Sequence, residues 1–307
     1  MTTSLSLSLT GPGGEPVDLA RTLNSHGFAE LAPSALDEEA TELSVTVGVP
    51  RGRPRRIRIG PGRQGTARVH VLGPPAGPGV RAAALTGAAH VLRLDQDLTW
   101  FYGQIATDPD LAWASAGAGR MLRSPTVFED VVKTICTTNC AWSATVRMVD
   151  ALVGSLGEPA IGGDGPLTHA FPTPRAMASA PESFYRDVVR AGYRGAYLIE
   201  LARRIDAGDV DLEAMGSTSS NELPDDELEQ ALLDLPGVGP YAAAHVMMTL
   251  GRNSRLILDS WTRPKYARLI GRARSVADAT IERRFRRYGD HAGLAFWLFL
   301  TRDWVAD

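Results

Sequence analysis

Polar and apolar residues alternate along the first part of the chain. Ser4–Thr10, Glu42–Val49, Arg55–Ile59, Ala67–Leu72 and His90–Leu94 all show the pattern, which is the period of a strand with one buried face. Clusters of Gly and Pro at 11–14, 60–62 and 73–79 separate these runs. Together they predict a half-buried antiparallel sheet. One helix is expected inside it, at Asp18–His26, with Pro16 ahead and Gly27 behind.

From Asp97 onward the period becomes helical. Pro125–Cys136 sets Val127, Phe128, Val131, Val132, Ile135 and Cys136 on one face. Further helices are predicted at Ser143–Leu156, Ser179–Ala191, Ala196–Ala207, Asp225–Leu233, Tyr241–Leu250, Arg263–Ile270, Asp278–Tyr288 and Gly293–Trp304. Gly157, Gly192 and Gly208 close three of them. The expected fold is α+β and mainly α: an antiparallel sheet subdomain over residues 1–95, then an all-helical body over 96–307.

Composition changes this picture little. A chain of 307 residues, 44% apolar and 22% charged, suits a soluble globular protein of two domains. Cys136 and Cys140 are the only cysteines. They are too few for a disulfide framework or for a four-cysteine zinc or iron–sulfur site, and read as buried thiols. The six histidines have no metal-ligand spacing, so no metal site is expected. No apolar run approaches the ~18 residues of a membrane span. The N-terminus has no basic region ahead of an apolar one, and reads as a strand rather than a signal peptide. A cytoplasmic location is expected.

Charge does change it. The net value is −3, but residues 235–307 carry 12 basic and 6 acidic side chains, whereas 119–234 carry 10 and 18. A basic face on an acidic body can steer toward phosphate, although an asymmetry of this size also arises incidentally. Lysine is nearly absent: Lys133 and Lys265 stand against 30 arginines.

The informative stretch is Leu-Pro-Gly-Val-Gly over 235–239, followed by Pro240 and Tyr241. One helix ends, a tight hairpin follows, and a second helix begins at Pro240, a residue suited to a first helical position. Gly237 and Gly239 lack a Cβ and are free to adopt positive φ. Their amides and those of the next helical turn should converge in the open, which makes a phosphate site. Leu235 and Val238 should lock the two helices together. The alternative is a plain turn between helices. Downstream, the apolar run Leu256–Leu258 delivers Asp259 into a turn ahead of a helix, 18 residues after Tyr241. A carboxylate at a cleft edge suits stabilisation of an oxocarbenium-like sugar and activation of water. The same residue would also serve simply to cap the next helix.

These motifs resemble the helix–hairpin–helix glycine/proline-aspartate (HhH-GPD) DNA glycosylases. The hairpin and Asp259 match that signature. Thr137–Cys140 with Arg147–Val149 resembles the helix–loop–helix that the family pushes into a duplex. His169–Pro174, Gly192–Tyr197 and Tyr288–Ala295 are similar to its later segments. The sheet with Asp18–Gly27 is most similar to the alkylated-base branch, and the central loop is nearer the 8-oxoguanine branch. The resemblance implies a two-lobed helical body and a monofunctional glycosylase of base excision repair. Such an enzyme flips a damaged base, here an alkylated one, out of double-stranded DNA and hydrolyses its N-glycosidic bond. The protein is then expected to be a nucleoid-associated monomer.

The resemblance also implies residue roles. Asp259 is the catalytic carboxylate. Gly237, Val238 and Gly239 contact phosphate through their amides, around a monovalent cation. Asn139 fills the gap left by the flipped base or contacts its orphaned partner. Trp261 and Arg263 touch phosphate after the catalytic turn. Tyr241, Trp142, Phe296, Trp297 and Leu300 are candidate walls of the base pocket, or else plain core. Tyr241 stands where bifunctional members carry a Schiff-base lysine, and a phenol forms no imine. Ala144 stands where 8-oxoguanine enzymes place an arginine. No cofactor is expected, and no iron–sulfur cluster. Two other readings stay open: a bifunctional 8-oxoguanine-type glycosylase/lyase using Lys133 or Lys265, and a non-catalytic helix–hairpin–helix DNA-binding protein.

Overall fold

The computed structural model describes residues 2–163 and 168–305. Five strands form one antiparallel sheet in the order β1-β5-β4-β3-β2. They are β1 (Thr3–Ser8), β2 (Ala35–Leu36), β3 (Leu43–Val49), β4 (Gly52–Pro61) and β5 (Thr66–Val71). Alternation in the sequence becomes alternation in burial: Val45, Val47, Ile57, Ile59, Val69 and Val71 face one core.

That core is closed by α2 (Pro78–Val91), through Ala84, Ala88 and Val91. Here the sequence reading needs correction. His90–Leu94 is not a strand but the last turn of α2 and the bend after it. Its alternation is produced by a helix end in which Val91 and Leu92 are buried. Pro78, read as part of a strand-breaking cluster, is the first residue of this helix. The helix expected at Asp18–His26 is shorter: α1 spans Leu19–Leu23, with Asp18 Oδ1 accepting from the Arg21 amide at 2.9 Å. A 3-10 turn, Gly27–Glu30, follows it.

The helical body has two cores. The first packs α4 (Val127–Thr137), α5 (Trp142–Leu156), α7 (Arg194–Asp206) and α9 (Asp225–Leu233) against α10 (Pro240–Thr249). The second packs α3 (Thr99–Ile105), α11 (Thr262–Leu269), α12 (Asp278–Phe285) and α13 (Ala292–Thr301) against other residues of α10. Ala242, Ala243, Val246 and Met247 belong to the first core, and Ala244 and Met248 to the second. The helix α10 is therefore the seam of a two-lobed body. Its near-uniform burial explains why its sequence shows no polar face.

The predicted helix Ser179–Ala191 is a second correction. α6 (Pro174–Ser179) ends before Pro181, and Phe184–Val188 forms a single π-helical turn. Proline has no amide to continue the ladder, which breaks the run there. A short α8 (Leu212–Ser217) was not foreseen; Asp211 caps it. Among the described residues, no helix is long and apolar enough to cross a membrane.

Candidate active site

The hairpin joins α9 to α10 at one lip of a cleft. Leu235 and Val238 are buried, as expected. Gly237 has φ +80°, and a Cβ there would come within 2.9 Å of the Tyr197 ring. Gly239 is different. Its φ is −107°, and a Cβ would meet open space. Positive φ is thus needed at Gly237 alone. The Val238 amide is also not free, because it donates to Leu235 O at 3.2 Å. The amides of Gly237, Gly239, Tyr241 and Ala242 find no acceptor among the described residues, and Gly239 offers no side chain to cap α10. These are the donors that the turn and the first turn of α10 leave unpaired.

Asp259 lines the same cleft as the hairpin, at the end of the run whose Ile257 is anchored in the second core. The two roles left open for it are compatible. Oδ1 accepts from the amides of Trp261 at 2.8 Å and Thr262 at 2.6 Å, and the Asp259 amide donates to Thr262 Oγ1 at 2.8 Å. This exchange fixes the carboxylate at the start of α11. Oδ2 takes no hydrogen bond from the described residues, and the side chain lines the cleft.

The cleft has a volume of about 1450 Å³ and is lined by both lobes and by the segment after α1. A nucleotide fits within it. Tyr241 lies on its wall and packs against both cores. Thr137 Oγ1 donates to Thr134 O at 2.7 Å, so it accepts from the Tyr241 hydroxyl at 3.3 Å. Burial pushes the phenol above its ordinary range, and the Asp259 carboxylate adds to this. Trp142, the first residue of α5, is exposed in the cleft. Its indole fits because position 27 is glycine, where a Cβ would stand 2.8 Å from the ring. Trp297 presents one edge to the cleft and donates from Nε1 to Ser25 O at 2.8 Å.

Asn139 lies in the loop between α4 and α5, with φ +46°. Its amide donates to the Tyr193 hydroxyl at 3.3 Å, so an exposed aromatic ring is held beside it. Trp261 packs at a tilt against Trp297 and Trp304, with ring centroids at 5.8 and 5.6 Å.

Two of the candidate pocket walls fail on geometry. Phe296 and Leu300 are fully buried in the second core, among Tyr266 and Phe285, and do not reach the cleft. On α13 only Trp297 faces it. Arg263 lines the cleft, but its Nε and Nη2 both go to Asp278, at 2.7 and 2.9 Å. The basic excess of the last quarter is also partly cancelled in space. Arg284 and Arg302 pair with Asp110, Arg287 with Asp108, and Arg255 with Asp226 and Glu229.

Sequence reasoning missed the floor of the cleft, which is made by His26, Phe28 and His245. Their rings are mutually packed, with centroids 4.8 to 5.5 Å apart. Burial drops the His26 imidazole to about 4 and that of His245 to about 3, so both are neutral at ordinary pH. His245 had one available signal, its place four residues after Tyr241 on the same helical face. His26 had none.

Neither lysine lines the cleft. Lys133 is fully buried in α4 and paired with Glu129 at 2.6 Å. Lys265 pairs with Asp303 at 2.7 Å. Among the described residues, no group of His, Cys, Asp and Glu is arranged to hold a metal ion.

No family model matches the chain. It is 26% identical over 172 residues to the N-glycosylase/DNA lyase of Saccharomyces cerevisiae (strain ATCC 204508 / S288c), a match covering 54% of this chain and 46% of that protein. The chain thus matches about half the length of this curated relative. Solved structures resemble it over nearly its whole length. The 3-methyladenine DNA-glycosylase from Archaeoglobus fulgidus superposes with a TM-score of 0.72 at 19% identity, covering 99% of this chain and 100% of that one. MBOgg1, in complex with a low affinity DNA ligand, gives 0.70 at 18%, covering 98% and 96%. The apo form of Clostridium acetobutylicum 8-oxoguanine glycosylase/lyase gives 0.64 at 18%, covering 90% and 93%. The fold is that of these DNA glycosylases, α+β with an N-terminal antiparallel sheet.

Proposed function

We propose that this protein is a monofunctional DNA glycosylase of base excision repair. The observation that carries the reading is the lip of the cleft. Asp259 is held there by two backbone amides, in the same cleft as a hairpin whose unpaired amides suit a DNA backbone, and no lysine is within the cleft. The duplex is gripped by its phosphates and one nucleotide is everted into the cleft. As the N-glycosidic bond breaks, its electron pair leaves with the base and positive charge grows on the sugar. The carboxylate of Asp259 stabilises that charge and orients a water. The water oxygen bonds to C1′, its proton is lost, and an abasic strand remains.

An alkylated purine is the substrate this site favours. Such a base is cationic and already a good leaving group, and the aromatic walls at Trp142, Tyr241 and Phe28 attract a cation. A monovalent cation at the hairpin also fits the turn. The carbonyls of Pro236, Gly237 and Val238 accept none of its backbone hydrogen bonds, which end on Leu235 and Gly239. When bound, such an ion would add positive charge beside a phosphate.

The test uses duplexes that each carry one lesion, treated with alkali or with borohydride. Base release should give intact abasic strands that break only on adding alkali, and borohydride should trap no protein–DNA adduct. Tyr241→Lys places an amine on the cleft wall, so a trappable adduct should appear in that variant and vanish when Asp259→Asn is added. Efficient trapping of the wild type through Lys133 or Lys265 would overturn the monofunctional reading in favour of a glycosylase/lyase.

A further inference from the structure

The floor of the cleft carries one polar atom with nothing to bind. His26 is saturated: its Nε2 is 2.6 Å from Leu122 O, and its Nδ1 accepts from the Phe28 amide at 3.3 Å. His245 is not. Its Nδ1 lies 3.4 Å from Thr134 Oγ1, and that hydroxyl donates its only proton to Asp130 O at 2.7 Å. Thr134 can therefore only accept from His245, which puts the imidazole proton on Nδ1. Nε2 is left with a lone pair and no partner among the described residues. The side chain is 8% exposed, and the surface it does expose belongs to the cleft. Nε2 is open to the cleft, so an everted base would strip it of water; an acceptor then left without a donor is costly, and a base that supplies the donor avoids that cost.

We infer that His245 reads the everted base: its Nε2 accepts a hydrogen bond from a base N–H, so the site favours purine lesions that present a donor at their deep edge over bases that present a lone pair there. This rests on the glycosylase reading and names a specificity-determining residue within it. The neutrality of the ring follows from its burial and from the neighbouring His26 imidazole. A protonated His245 would repel a cationic base and would have no lone pair to offer. A neutral one accepts more strongly from a cationic base, whose N–H groups are acidified. Phe28 and Tyr241 pack beside the imidazole, with ring centroids at 4.8 and 6.1 Å.

The experiment compares wild type, His245→Phe and His245→Gln. Phe keeps an aromatic ring and removes the acceptor. Gln brings an amide oxygen to about the place of Nε2. Each protein is given duplexes with 7-methylguanine, hypoxanthine or 8-oxoguanine, and a duplex with a base-free tetrahydrofuran site. Base release is followed in single turnover. Affinity is measured separately in the Asp259→Asn background, where the base stays in place. For the preferred lesion, His245→Phe should lose about 10- to 100-fold in release and affinity, the range for a buried hydrogen bond left unmade. Affinity for the tetrahydrofuran duplex should stay within about 2-fold, which also shows that the variant folds. His245→Gln should recover most of the loss. Methylating the N–H of the preferred lesion should penalise wild type by a similar factor and His245→Phe hardly at all. The assignment is overturned if both proteins discriminate N–H from N–CH₃ equally, or if His245→Phe loses tetrahydrofuran DNA as readily as base-bearing DNA. It is also overturned if wild type binds base-bearing duplexes no better than the base-free one. Absence of base release from every duplex by wild type sinks the glycosylase reading instead, while the affinity arm still decides the role of His245.

Discussion

The lip and the floor of the cleft are built on opposite plans. The lip is local and polar: five hairpin residues, a helix start, and one carboxylate fixed by amides two and three residues ahead of it. The floor is assembled from distant segments, His26 and Phe28 after α1 and His245 in α10, and presents neutral rings. The lip offers charge and backbone donors, which act on phosphate and sugar whatever the base is. The floor offers shape and one acceptor, which act on the base alone. A substitution on the lip should therefore change rate or grip for every substrate, and one on the floor should change the ranking among substrates.

The sharpest way to break this contrast is Asp259→Asn. Asparagine keeps an oxygen for the amides of Trp261 and Thr262, so the fold and DNA affinity should survive. Single-turnover base release should fall about 10²- to 10³-fold, the typical worth of one oriented electrostatic group, and equally for every lesion. Unchanged release would remove Asp259 from the chemistry.

A smaller effect is expected at the hairpin. Gly237→Ala forces a Cβ into positive φ and against Tyr197, a strain of roughly 1–3 kcal/mol. Affinity measured by fluorescence anisotropy should drop by about 10-fold for damaged and undamaged duplexes alike, because the contact is to backbone. Gly239→Ala, with ordinary φ and open space, should cost less. A loss confined to damaged DNA in Gly237→Ala would mean that the lip also reads bases.

The smallest effect concerns acid. The folded-state values of His26 and His245, about 4 and about 3, lie below the unfolded value of 6.5. Such groups stabilise the fold fully above pH 6.5, and the contribution is lost as pH falls toward their folded values. Burial acts the other way on Asp130, pushed up to about 7, which favours the fold as pH drops through that value. The difference between two proteins isolates one group. Between pH 6.5 and 4, the melting temperature of His245→Phe should fall less steeply than that of wild type. Parallel curves would show that His245 is already open to water.

The same contrast explains what the sequence disclosed. The hairpin and Asp259 were legible because their chemistry is carried by neighbours in the chain: glycine where φ must be positive, proline where a helix starts, a carboxylate after an apolar run. Leu235 and Val238 were legible for the same reason. Phe296 and Leu300 were misplaced because α13 is apolar all round, so periodicity could not say which residues face the cleft. The pairing of Arg263 was not legible because its partner, Asp278, comes from the next helix. His26 escaped because only the fold brings it to His245, and a lone histidine carries no spacing to read. The strand expected at His90–Leu94 failed because burial at a helix end imitated a period of two.

The seam position of α10 has a mechanical side. On the proposed reading, its first turn takes the load from the DNA backbone, and its sixth residue, His245, meets the base. A helix of 10 residues is a rod about 15 Å long with its hydrogen bonds running along its axis. No loop lies between the two ends to absorb a displacement. Any tug that a bent duplex exerts on the hairpin is felt at the floor with little slack, and because the rod is clamped by both lobes, it cannot shift without prying them apart. Holding the strand and gauging the base would then be a single motion rather than two in sequence.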